Sequence, residues 1–336
     1  MAMTLEQGED WIGGRWQDTE LFRYNYRPQV PAVESPRPYF HPVRTLTGDV
    51  VSLYRPHDHL WHIGLSWGLS NVGTENFWGG TTYRRGVGYQ QFDNDGRMQH
   101  EDFDVLEARD DVLRFDERLT WVARDEQTWI TELRRVRVSV LPDGAAWRLS
   151  YATSMRNVSG RLIPIGSPTT EGRPDAGYSG LFWRGPRSFS GERFAGGTVL
   201  TPDGPGGEEL MGWRGPWLGY AGRHDGPGRR ASTLVFCDRP GNLSYPCQWF
   251  VRTGIYGCVC PSPFFSHVFE LDDGQSLVLG YDIVVADGEL DAAACALLAQ
   301  SAREPFGRAA IGEQDQAARA AGGQGAAPGE ELQEAR

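Results

Sequence analysis

The chain has 336 residues, 40% of them hydrophobic and 12% aromatic, enough apolar content to bury a large core. Its formal charge of −11 gives no electrostatic footprint for a phosphate backbone, which argues against a nucleic-acid partner. All 33 basic residues are arginines, which excludes a lysine Schiff base, the lysine of a P-loop and that of a protein kinase.

The first residues, "MAMTLEQGEDWIGGRW", show neither the basic nor the apolar region of a secretion signal. Residues 1–19 read as an N-terminal extension. A strand pattern then starts, with Phe22, Tyr24 and Tyr26 in alternation. Next comes "RPHDHLWHIGLSWG", residues 55–68, which holds three of the seven histidines. "NFWGG" places Trp78 before two glycines, as in an exposed loop, and "MQHED" sets His100 beside Glu101 and Asp102.

Period-two alternation returns with Leu113, Phe115, Leu119 and Trp121, where Glu117 breaks the apolar set. It continues with Val136, Val138 and Val140, the turn signal "LPDG", and Trp147, Leu149 and Tyr151. The cleanest strand is Leu277, Leu279, Tyr281, Ile283 and Val285. So many strands joined by Asp-Gly and Pro-Gly turns predict an all-β fold: a large antiparallel two-sheet β-sandwich. One helix is predicted after a cap at Asp287 or Asp291, with Leu290, Ala294, Leu297, Leu298 and Ala302 on one stripe and Pro305 as its stop. Residues 20–307 form the single domain of this reading. Residues 308–336, rich in Ala, Gly, Glu and Gln, read as a disordered tail. The five cysteines have irregular spacings, and Cys258-x-Cys260 is too close for a CxxC motif. They read as plain buried thiols of a soluble, cytoplasmic protein. No apolar run approaches the roughly 18 residues that cross a bilayer, so no membrane partner is expected.

The histidine cluster admits three readings. On a straight strand His57 and His59 share one face and His62 the other. His59 and His62 converge only across a bend, which Pro56 and Gly64 would allow. Converged imidazoles suit proton transfer, with Asp58 or Glu171 orienting one ring. With a distant third ligand such as His100, His59 and His62 would instead hold one divalent zinc, iron or copper ion. They could also be polar loop residues bonded to backbone. The segment "TTEGRPDAGYSGLFWR" reads as a loop feeding a strand that Arg184 closes. Arg184 would clamp a substrate oxygen, or pair with a carboxylate that holds the loop. There is no H-E-x-x-H and no P-loop.

Five segments together resemble one bacterial family: "RPYFHPVRTLTG" (37–48), "DHLWHIGLSWG" (58–68), "ENFWG" (75–79), "TTEGRPDAGYSGLFWRGPR" (169–187) and "SPFFSHVFELDDGQSLVLGYDIVVADG" (262–288). They are similar, collinearly over about residues 20–300, to soluble β-rich proteins called PmoA-like. The resemblance implies a galactose mutarotase-like supersandwich and a carbohydrate connection by analogy of fold. The family's Asp-His-Pro-His-His-Arg-Gly reads here Asp58-His59-Leu60-Trp61-His62-Ile63-Gly64, so one histidine and one arginine of that motif are missing.

The resulting expectation is a carbohydrate-active epimerase, isomerase or lyase without a cofactor, acting on a small sugar-like substrate. His59, His62 and His100 would be the catalytic candidates. Asp58, Trp78, Glu171 and Arg184 would bind substrate in a groove on one sheet's concave face. The alternatives are a metal-dependent hydrolase or oxygenase using the same histidines, and a non-catalytic sugar-binding protein.

Overall fold

Strand alternation is carried through into two large antiparallel sheets. The computed structural model describes residues 2–142, 144–191 and 197–302. The first sheet runs in the order Met3–Gln7, Trp11–Trp16, Thr19–Asn25, Tyr39–Val43, Leu65–Val72, Gly180–Arg184, Cys258–Ser262 and Gln248–Arg252. The second runs Gly204–Gly206, Gly197–Thr201, Trp217–Arg223, Ala231–Asp238, Ser276–Asp287, Ala146–Asn157, Thr128–Val140, Val112–Val122 and Arg97–Arg109. The segment 1–19, read as an extension, supplies the first sheet's edge, with Met3 opposite Trp16. Arg303 to Arg336, and hence the expected tail and the Pro305 stop, lie outside the described residues.

Register explains the core. Phe115 opposes Val136, Val136 opposes Tyr151, and Tyr151 opposes Tyr281, all four essentially buried. Because side chains alternate across a strand, one register places every member of this row on the same face. The first sheet answers with Tyr24 against Phe115 and Trp67 against Tyr151. Trp67, Trp147, Trp183 and Trp249 are fully buried, which is where most tryptophans of a large sandwich are expected.

The opposite faces are used too. On the second sheet, Val235, Cys237, Val284 and Ala286 point away from the shared core and meet the helix Ala292–Ala302. Asp291 is the cap: its carboxylate accepts from the Ala294 backbone N–H at 2.8 Å. The buried stripe is Cys295, Ala299 and Ala302, whereas Leu297 is exposed. Of the predicted stripe, Ala302 is buried and Leu290 and Leu298 pack against the same cluster, so only Leu297 faces away. On the first sheet, Leu181, Trp183, Trp249 and Val251 face the shared core, while Phe182, Phe250, Cys258 and Cys260 form a separate cluster on the outer face. That outer face carries the candidate site. All five cysteines are free and buried.

Glu117 breaks the apolar alternation for a local reason. It is buried between the sheets, accepts a hydrogen bond from the Tyr24 hydroxyl, and pairs with His100 Nδ1 at 2.8 Å.

Candidate functional site

Residues 54–63 form a closed excursion from the first sheet. Tyr54 and Ile63 bridge, and the Arg55 N–H donates to the His62 carbonyl at 2.9 Å. Inside it two turns follow one another: His59 N–H donates to Pro56 C=O and His62 N–H to His59 C=O, each at 3.0 Å. Such turns bring positions three apart to one side, which a straight strand could not do. The excursion re-enters the sheet at Gly64, where φ is +67° and a Cβ would lie 2.2 Å from the Phe40 carbonyl oxygen, so only glycine is accommodated. Buried Glu34 grips Arg55 at 2.6 Å, and buried Arg37 donates to the Trp61 carbonyl at 2.9 Å. The loop is thus fixed at both shoulders.

The two imidazoles stack, with centroids 4.5 Å apart and planes 13° from parallel. Asp58 Oδ2 lies 2.9 Å from His59 Nδ1 and also accepts from Arg184 at 2.8 Å; Oδ1 accepts from Arg187 at 2.7 Å. Arg184 reaches His62 Nδ1 at 2.9 Å, and its guanidinium lies 4.0 Å over the Tyr256 ring. Burial works against charge on Asp58, but the hydrogen bonds from His59 and Arg184, then Arg187, hold its carboxyl well below the usual carboxylate range. Burial first, then the neighbouring His59, Arg184 and Arg37, push the His62 imidazole well below its usual value.

These partners assign the tautomers. Ionised Asp58 only accepts, so His59 Nδ1 carries the proton and a neutral His59 leaves Nε2 as a lone pair. Arginine only donates, so His62 Nδ1 is the acceptor and Nε2 carries the proton. The stacked rings therefore offer one proton acceptor and one donor side by side. Protein labelled with ¹⁵N is expected to show His62 as the neutral Nε2–H form at neutral pH; a doubly protonated ring near neutrality would contradict this. A histidine whose folded pKa is depressed binds its proton sooner in the unfolded chain. Its contribution to stability is complete above about pH 6.5 and declines as pH falls below that value. The urea midpoint of His62→Gln is accordingly expected to depend less on pH in that window.

Both rings line a cavity of about 340 Å³ with Trp61, Trp78, Tyr178, Phe182, Phe250 and Tyr256 as aromatic walls. Arg173, Arg252, Tyr89, Thr81, Gly79 and Ile255 complete it. Its size is at the small end of the roughly 300–1,000 Å³ of small-molecule sites. Burial raises the Tyr178 and Tyr256 hydroxyls well above their usual value, so both stay protonated donors.

The sequence expectations are met unevenly. His59, His62, Asp58 and Trp78 come together, although Trp78 is a nearly buried wall and not an exposed loop residue. Arg184 is buried and its Nη atoms are engaged with Asp58 and His62. His100 is elsewhere, on the strand Arg97–Arg109, packed against Tyr26 and Phe103 and paired with Glu117. Glu171 does not line the cavity; its carboxylate accepts from the Arg85 backbone N–H at 3.3 Å. The metal set His59, His62 and His100 is therefore not assembled. Among the described residues no three His, Cys, Asp or Glu side chains are grouped to hold a metal ion. Tyr178, Arg187, Arg252 and Tyr256 had escaped sequence reasoning. Only Tyr178, inside "GRPDAGYSG", carried a usable signal, as an aromatic in a glycine-rich polar loop.

Residues 15–300 match the family described as "Family of unknown function (DUF6807)". The chain belongs to that family. This match overturns the PmoA-like resemblance, for which nothing else speaks, and the motif comparison built on it falls too. No curated protein matches the chain. Among solved structures it is similar to the GH36 alpha-galactosidase AgaB from Geobacillus stearothermophilus, at 9% identity and a TM-score of 0.39, covering 87% of this chain and 41% of that one. It is also similar to a variant of alpha-galactosidase AgaA from the same organism, at 8% identity and a TM-score of 0.34, covering 86% and 41%. The chain thus spans less than half the length of these proteins, and likeness at this level carries no argument about activity. No helix among the described residues is long and apolar enough to cross a membrane.

Proposed function

We propose that this protein is a carbohydrate-active enzyme that moves a proton on a sugar or oxidised sugar, with His59 as base and His62 as hydrogen-bond donor. The observation that carries the reading is the stacked pair whose Nδ1 atoms are committed in opposite senses. His59 Nε2 takes a proton from a carbon beside a carbonyl. The C–H electron pair moves toward the carbonyl oxygen, and His62 Nε2–H stabilises the enolate that develops there. A neutral imidazole is suited to this because it donates without giving up its proton. Ionised Asp58 steadies the imidazolium formed on His59. Return of the proton gives an epimer or isomer; expulsion of a neighbouring substituent gives a lyase product.

Two features of the cavity suit a sugar ring. Trp61, Trp78 and Tyr256 are among the aromatic side chains lining it, and aromatic rings pack well against the C–H surfaces of a sugar. Among the described residues no carboxylate lines the cavity, so they offer no counterpart to the paired-acid arrangement of glycoside hydrolysis. The test is NMR in D₂O over a panel of reducing sugars, keto-sugars, sugar acids and glycosides. Deuterium incorporation or β-elimination that depends on His59 supports the proposal. Binding without exchange across the panel would leave a sugar-binding protein instead.

A further inference from the structure

We propose that the substrate carries a carboxylate and that Arg173 is its anchor: the cavity selects a sugar acid over a neutral sugar. The inference rests on the sugar-site reading above and adds a charge requirement to it.

In a chain of net charge −11, the described residues lining the cavity include two arginines, Arg173 and Arg252, and no acidic side chain. The two cations are not equivalent. Arg252 is ion-paired with Glu208, whose carboxylate also accepts from the Gly254 N–H. Arg173 has no ion pair among the described residues. Its guanidinium donates to the Tyr89 hydroxyl and lies 4.5 Å from the Tyr89 ring centroid. Tyr89 and Tyr178 hydroxyls are in turn 2.7 Å apart. The arginine is thus placed by aromatic groups that leave its charge uncompensated. Arg184, close by, is compensated by Asp58.

One unbalanced positive charge suits one negative charge. A carboxylate supplies that, and its two oxygens fit the planar donors of a guanidinium. A phosphate monoester, at about −1.5 to −2, would bring more charge than Arg173 neutralises. Tyr89 is exposed and Arg173 half-buried, so the strength of the pair comes from the charge-assisted, two-pronged hydrogen bonds themselves.

Binding is measured by quenching of intrinsic tryptophan fluorescence, since Trp61 and Trp78 line the cavity. The probes are a panel of hexuronates and aldonates, the matching neutral hexoses and the hexose 6-phosphates. The full chain is used as wild type, Arg173→Met and Arg173→Lys, with the thermal midpoint of each recorded. At least one sugar acid is expected to bind about tenfold or more tightly than its neutral counterpart and its phosphate counterpart. That preference should be lost in Arg173→Met and partly kept in Arg173→Lys. Equal binding of acid and neutral sugar, tighter binding of the phosphate ester, a preference unchanged in Arg173→Met, or no binding of any acid would each overturn the inference. The two proposals separate cleanly. Arg173-dependent binding of a sugar acid without proton exchange keeps the anchor and removes the chemistry. Exchange on neutral sugars alone keeps the chemistry and removes the anchor.

Discussion

His59→Gln is expected to lower His59-dependent proton exchange by about 10²–10⁴-fold, the usual worth of a positioned general base. The fold should tolerate the change, because the His59 side chain is about one-third exposed (32%). A glutamine amide can still donate to Asp58, so the loop geometry survives while the proton acceptor disappears. His62→Gln makes the informative contrast. Its side-chain oxygen can accept from Arg184, and its NH₂ can donate in place of Nε2–H. The loss there should be much smaller than in His59→Gln. His62→Leu removes the donor altogether and should cost about 10²–10³-fold, as loss of an oxyanion donor does. Rates of deuterium uptake for the three variants, with urea midpoints for comparison, check the order. Equal losses in His59→Gln and His62→Gln would mean that the imidazoles do not have distinct roles.

That asymmetry was only half legible in the sequence. The spacing of His59 and His62 raised the prospect of a shared hollow, and Pro56 and Gly64 located the bend that makes it. The sheets were legible because period-two burial is a local property: Leu277, Leu279, Tyr281, Ile283 and Val285 must all face one way. The site was less legible because its partners are brought together by tertiary pairing. Arg184 meets His62 across 122 positions of chain, through a strand that sits beside Leu65–Val72. Tyr256 follows from the pairing of Gly180–Arg184 with Cys258–Ser262, which no local pattern announces. His100 misled for the converse reason. Its acidic neighbours Glu101 and Asp102 are adjacent in sequence, but its partner is Glu117 on the next strand. Glu117 had already stood out as the residue that interrupts an apolar row. A carboxylate and a histidine placed on neighbouring strands could have been read as partners to each other.

The same buried network yields the largest expected effect on stability. Arg134→Met should destabilise the protein by about 3–5 kcal/mol, the cost of removing one partner of a buried ion pair. Arg134 and Glu132 stand two residues apart on the strand Thr128–Val140 and so share its inner face. Both are essentially inaccessible, and Arg134 donates to Oε1 at 2.9 Å and to Oε2 at 3.0 Å. It also donates to the Tyr24 hydroxyl at 2.8 Å, which links the second sheet to the first. Glu132 further accepts from the Trp121 indole at 2.8 Å and the Thr153 hydroxyl at 2.9 Å. Methionine fills much of the volume but leaves that carboxylate charged in an apolar surrounding, with two neutral donors in place of a cation. Adding Glu132→Gln to the same chain removes the stranded charge while keeping an acceptor for Trp121 or Thr153. The double variant is therefore expected to be more stable than Arg134→Met alone, a sign of coupling that independent sites would not show. Urea unfolding of the four members of this cycle measures it. If the double variant lost the sum of the two single costs, Arg134 and Glu132 would act independently and their charge pairing would carry no coupling.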